Sequence, residues 1–94
     1  MINSEVECLF FNTFISEELA QSLSAEKVMV IGFNDVISIH GAIEFATGFY
    51  TALRYGKSYQ AAYAIGYQTV MHGNHKDMLP NLFAYCNDNK VIIG

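Results

Sequence analysis

The sequence predicts a small α/β domain, and three observations carry that prediction. Two short runs are apolar on both faces, capping serines stand in front of helical patterns, and a helix-rich stretch separates the second run from a third. Residues 6–11 (Val-Glu-Cys-Leu-Phe-Phe) and 28–32 (Val-Met-Val-Ile-Gly) are the two runs. A strand apolar on both sides is buried on both sides, as in a parallel sheet covered by helices.

Between them, Ser16 is a sound N-cap, and Glu17 and Glu18 fall in the first turn, where carboxylates complement the helix dipole. The short helix that follows places Leu19, Ala20 and Leu23 on one side. Ser38 opens the best-defined helix: Ile39, Ala42, Ile43, Ala46, Phe49, Tyr50 and Leu53 recur at three- and four-residue spacing. Gly56 stands where a helix end favours a left-handed residue. Ser58 caps a further helix with Ala62, Ile65, Thr69 and Val70 inward, and Gly73 ends it. After a loop over residues 74–79, Pro80 precedes a strand at 81–85. Asn87, Asp88 and Asn89 read as a turn, and Val91, Ile92 and Ile93 as a short final strand.

The order is therefore strand, helix, strand, helix, helix, strand. A strand–helix–strand unit with apolar strands implies parallel pairing through a right-handed crossover. The expected architecture is a two-layer or three-layer sandwich around a mostly parallel sheet. Its 94 residues form one domain, 1–94, with no linker, repeat or low-complexity stretch.

Composition narrows the function. Charged residues make up 15% of the chain and hydrophobic ones 52%, against a charged share of about 25% in ordinary globular domains. A small domain has proportionally more surface and should carry more charge, so the deficit points to surface covered by protein. The formal net charge is −4 and the five Lys/Arg are scattered. Nucleic-acid binding requires clustered positive charge, and anionic membrane surfaces require the same; both are excluded as expectations. No apolar run approaches the roughly 20 residues of a membrane span, and residues 1–5 lack the basic and apolar regions of a signal peptide. Two cysteines, Cys8 and Cys86, make no disulfide framework. The expected location is the cytoplasm, with reduced thiols.

The order and spacing of several segments resemble a known family. Residues 8–16, Cys-Leu-Phe-Phe-Asn-Thr-Phe-Ile-Ser, resemble the apolar strand and Asn-Ala-Cys-x-Ser turn of CHAT-type caspase-like proteins. Residues 30–34, Val-Ile-Gly-Phe-Asn, are similar to that family's next strand. The strongest likeness is over residues 42–58, against a pattern Ala-Ile-x-Phe-Ala-x-x-Phe-Tyr-x-Ala-Leu-x-x-Gly-x-Ser. Residues 59–70 and 79–82 continue it, so the resemblance covers about residues 6–85, the latter half of the family's domain.

The resemblance implies a Cys–His peptidase fold, and it also implies that the chemistry is missing. Asn12 falls on the motif's Asn and Ser16 on its Ser, while the nucleophile position holds Phe14. The half of the family domain that supplies the catalytic His has no counterpart in this chain. Cys8, inside a predicted strand, reads as a small buried hydrophobe. Cys86 follows a strand with no residue in the sequence to activate it.

Other candidates have bland readings beside the functional ones. His40 lies in the first turn of a helix. His72, His75 and Asp77 have a spacing that metal sites use, but a solvated helix end explains them and no further ligand is evident. No metal and no cofactor are expected. Asn34 and Asp35 follow the second strand, at the sheet edge where open α/β folds hold ligands, and could line a residual pocket or simply form a turn. Tyr55, Tyr59, Tyr63 and Tyr67 form a stripe suited to core packing or to an interface.

The resulting expectation is a catalytically inactive caspase-like module that binds protein. Its partner would be a second copy, giving a homodimer, or a caspase-like protein, through an unpaired strand edge that includes Phe10 and Phe11. A subunit completing a composite peptidase, a small-ligand binder at Asn34 and Asp35, and a remnant without a role are the alternatives.

Overall fold

The helices occupy both faces of a single sheet, and the alternation of side chains along each strand explains how. The computed structural model describes residues 8–24, 28–35, 38–87 and 89–92. In chain order these form β1 (Cys8–Phe14), α1 (Glu17–Leu23), β2 (Met29–Phe33), α2 (Ile39–Arg54), α3 (Tyr59–Met71), a 3-10 turn (Lys76–Asn81), β3 (Leu82–Cys86) and β4 (Asn89–Lys90). Val6, Glu7, Asp88 and Ile93, part of the strand and turn predictions, lie outside the described residues. Among the described residues no helix is long and apolar enough to cross a membrane.

The sheet runs β1-β2-β3-β4. β2, at its centre, is buried throughout. Met29, Ile31 and Phe33 join Phe45, Phe49, Ala62, Tyr63 and Val70 in the larger core beneath α2 and α3. Val30 turns to the other side, joining Ile15, Ala20 and Phe83 beneath α1. The result is a three-layer arrangement, with one short helix on one face and a helical pair on the other.

The sheet is mixed, which corrects the mostly parallel expectation. β1 and β2 are parallel, whereas β2 pairs with β3, and β3 with β4, in antiparallel fashion. Connection length gives the reason. One helix between strands returns the chain to the end where the first strand began, and the next strand runs parallel. Two helices joined by a tight turn carry it back and forth, so β3 starts at the end where β2 finishes, with Leu82 beside Phe33. The final pairing also shifts: the last described strand is Asn89–Lys90, ahead of the run expected from Val91, and the Val91 amide donates to the Ala84 carbonyl at 2.8 Å. Asn87, at φ 53°, makes the tight reversal, a conformation asparagine tolerates better than most residues.

Local chemistry sets the helix limits where the sequence puts them. Ser16, Ser38 and Ser58 are all extended N-caps whose hydroxyls accept amide hydrogens of the first turn: Leu19 N at 3.1 Å, His40 N at 3.1 Å and Ala61 N at 3.1 Å. α2 ends in two reciprocal bonds, Lys57 N to the Ala52 carbonyl at 3.1 Å and Gly56 N to the Leu53 carbonyl at 3.0 Å. That pattern requires a left-handed residue, and Gly56 supplies it at φ 81°.

The helical pair crosses at its glycines. A Cβ on Gly66 would lie 2.7 Å from the Phe45 ring and 3.0 Å from its carbonyl oxygen, and one on Gly48 would collide with Thr69 and come within 3.1 Å of the Gly66 Cα. The bare backbones let α2 and α3 approach, and this approach sets which side of α2 faces the core. Ala42, Phe45, Phe49 and Ala52 are buried, while Ile39, Ile43 and Tyr50 are exposed. The predicted inner face was therefore rotated by about a residue. Leu19 and Leu23 of α1 also turn outward, leaving Ala20 as the buried contact.

Candidate functional site

The sequence offers four candidate regions: the end of β1 and the turn after it, the residues that follow β2, the tyrosine stripe, and the β1 edge with Phe10 and Phe11. At the turn, Phe14 closes β1 opposite Phe33, Ile15 is buried, and its amide donates to the Phe33 carbonyl at 2.9 Å. Ser16 spends its hydroxyl on the α1 cap. Phe14 is 58% exposed, so the end of β1 presents a hydrocarbon to solvent. An aromatic ring has no atom able to attack a carbonyl. Asn12 lies within β1.

Neither cysteine is placed to take over. Cys8 and Cys86 stand on either side of Met29 in the ladder. Two strand spacings put their Cα atoms roughly 9–10 Å apart, beyond the ~7 Å a disulfide can bridge. Both are free. Burial, with a smaller contribution from Cys86, pushes the Cys8 thiol up to about 11. A nucleophilic thiol is shifted the other way.

Asn34 and Asp35 do follow β2, but Asn34 is engaged in a polar clasp. Its amide donates to Glu17 Oε2 at 2.7 Å, Tyr85 OH donates to Glu17 Oε1 at 2.8 Å, and Lys90 Nζ lies 3.2 Å from the same oxygen. Glu17 thus ties α1 to β3, β4 and the turn after β2. Burial raises its carboxyl, but the three hydrogen bonds and the Lys90 charge outweigh that and hold it below the ordinary glutamate value. Tyr85 moves up, through burial and then through its bond to Glu17. Sequence reasoning gave Glu17 only its helix-dipole role, because its partners come from residues 17 to 73 positions away.

The histidines gather at another place. His75 Nδ1 lies 3.5 Å from Glu44 Oε2 without hydrogen-bond geometry, and its ring centroid is 6.4 Å from that of His40. Among the described residues no three His, Cys, Asp or Glu side chains are arranged to hold a metal. A separate cleft of about 850 Å³ lies between α3 and β4, lined by Gln60, Tyr67, Gln68, Met71, Cys86 and Ile92 among others. It is remote in sequence from Asn34 and Asp35, and neither lines it.

The tyrosine stripe does not form one surface. Tyr63 is core, 5.8 Å from the Phe45 centroid, so of the two readings of the stripe it takes the packing one. Burial, with smaller contributions from Tyr67 and Glu17, pushes its hydroxyl up. Tyr59 and Tyr67 pack against the same core from its margin, and Tyr55, the C-cap of α2, is exposed. The four-residue spacing spans the break between two helices, so it does not describe a single face.

The two sheet edges differ sharply. β4 contributes two exposed polar residues, Asn89 and Lys90; a lysine on a short edge strand discourages further pairing. β1 is seven residues long, carries no charge, and has β2 as its one neighbour among the described residues. Phe11 packs toward α1, and Phe10 toward α2, with ring centroids 5.3 Å from Phe45, 5.8 Å from Phe49 and 6.1 Å from Tyr50. Register with Phe33 puts Phe14 on the α2 face too. Beside this edge the outer side of α2 exposes Ile39, Ile43 and Tyr50. The sequence carried the signal for this patch, since these three residues lie on the apolar stripe assigned to the core.

No family model, no curated protein and no solved structure matches this chain.

Proposed function

We propose that this chain is a catalytically inactive, caspase-like protein-interaction module whose working surface is the β1 edge with the adjoining side of α2. The observation that carries the reading is the coincidence of Phe14, at the position of the nucleophile, with an uncharged strand edge and three exposed apolar side chains on α2. A peptidase turn needs a thiolate and an imidazole within hydrogen-bond reach. Here the turn carries a hydrocarbon, and the cysteine in the same strand is held as a thiol. Single exposed apolar residues are ordinary, but a contiguous group beside an open strand edge is the composition of a binding surface.

The test is site-specific photo-crosslinking in cells expressing the chain. A crosslinker at Ile43 should give one discrete adduct, while one at Glu18, exposed on the opposite face, should give none. Diffuse or absent adducts at Ile43 would overturn the reading, as would peptidase activity in the purified chain that survives Phe14→Ala.

A further inference from the structure

We infer that the occupant of this surface is a second copy of the same chain, paired antiparallel through β1 about a twofold axis, with the two α2 stripes packed across it. The inference rests on the interaction reading above and adds the partner.

Three features of the patch favour a second copy. The first is charge. The chain carries −4 overall, so most faces of two copies repel one another. β1 and the stripe Ile39, Ile43, Tyr50 are uncharged and can meet their own image without that cost. The second is symmetry. Antiparallel pairing of a strand with itself places the same surface on both sides and closes after two copies. It would extend the four-stranded sheet across the axis and give the open amides and carbonyls of β1 partners.

The third feature is area. Phe14 is 58% exposed, Ile39 74%, Ile43 56% and Tyr50 50%. With side chains of about 150–250 Å² each, these four expose roughly 450 Å² on one copy. Two copies would cover on the order of 900 Å² before any strand backbone is counted, close to the ~1,200 Å² at which stable interfaces begin. The ladder is irregular between Phe10 and Phe14, which shortens the regular part of the edge. The α2 stripe is therefore essential to the interface, and the test is aimed at it.

Light scattering after size exclusion at a loading of about 50 μM should give twice the chain mass of 10.5 kDa. The double variant Ile43→Lys/Tyr50→Lys should run at the single mass with unchanged far-ultraviolet circular dichroism. Ile92→Lys, which changes a still more exposed apolar residue beside β4, should remain a dimer. A wild-type monomer would overturn the dimer. If Ile43 then crosslinks in cells to a different protein, the interaction reading survives alone; if it crosslinks to nothing, both fall. A dimer broken by Ile92→Lys and untouched by the α2 variant would overturn the placement of the interface.

Discussion

The two sides of α2 are both apolar, yet the molecule treats them differently. Phe45 and Phe49 are almost fully buried, at 0% and 1% exposed, while Ile39 and Ile43 on the same helix are 74% and 56% exposed. Helical periodicity records that a stripe is apolar, and here the apolar arc is wide enough to serve two surfaces. What selects the inner one is the crossing with α3. Gly48 and Gly66 let the helices meet closely on one side only, and the Phe45 ring closes over Gly66. An apolar side with a packed partner is core. An apolar side with no such partner among the described residues is the surface we propose for binding.

The comparison breaks most visibly at the two kinds of position. Phe45→Ala should cost about 3–5 kcal/mol in urea unfolding, because it empties the junction of Phe10, Phe33, Phe49 and Tyr63. Ile43→Ala, measured at a dilution where the chain is monomeric, should stay within about 0.5 kcal/mol of wild type. At high concentration the same variant should lose more, since a dimer contact adds concentration-dependent stability. Equal costs at both dilutions would mean that the outer side of α2 has no partner in solution.

The seam that sets the orientation is open to a milder test. Gly66→Ala inserts a methyl against the Phe45 ring and carbonyl, and should cost about 1–3 kcal/mol. Its effect on dimer mass distinguishes a rigid α2 from one that rotates to adapt. A dimer that survives the destabilisation would show that the interface tolerates a shifted helix.

β1 has a chemical probe. With its thiol pushed up to about 11 from 9.0, Cys8 should react with iodoacetamide near neutral pH roughly a hundredfold slower than an unperturbed cysteine, in proportion to its thiolate fraction. Labelling at the ordinary rate would mean that β1 opens readily and is not the firm edge described here.

The smallest effect belongs to the α1 face. Glu17 has its carboxyl held below the unfolded value, so the clasp contributes stability above that value. The contribution is lost as pH falls from about 4.5, the ordinary value, through the lower folded one. Glu17→Gln should flatten the acid side of the melting-temperature profile and leave its neutral region almost level. Tyr85 acts in the opposite direction: its hydroxyl is raised, so its stability is complete below pH 10 and declines as pH climbs above it. An unchanged acid limb in Glu17→Gln would remove the clasp from the account of stability.

Much of the fold was legible because it rests on local chemistry. The three serine caps and the left-handed glycine after α2 are properties of a few consecutive residues and stand at the predicted positions, while the doubly apolar runs form strands whose limits are shifted, Cys8–Phe14 and Met29–Phe33. Sheet direction was less legible, since β3 becomes antiparallel only through the helical pair that precedes it. The candidate site divides the same way. The helix capped by Ser16 could be read directly, whereas β1 runs on to Phe14, three residues past the apolar run that predicted it. The Glu17 clasp could not be read, because Asn34, Tyr85 and Lys90 reach it from three separate segments.

By itself the sequence determined the helix boundaries, the central strand and the aromatic wealth of the core, because capping bonds and apolar periodicity act over one or two turns. Only the tertiary structure decided which side of α2 is buried, which tyrosine of the stripe belongs to the core, and which strands stand at the two edges of the described sheet. Those outcomes depend on how closely two backbones can approach, and that distance is set by pairs of residues far apart in the chain, such as Phe45 with Gly66 and Gly48 with Thr69.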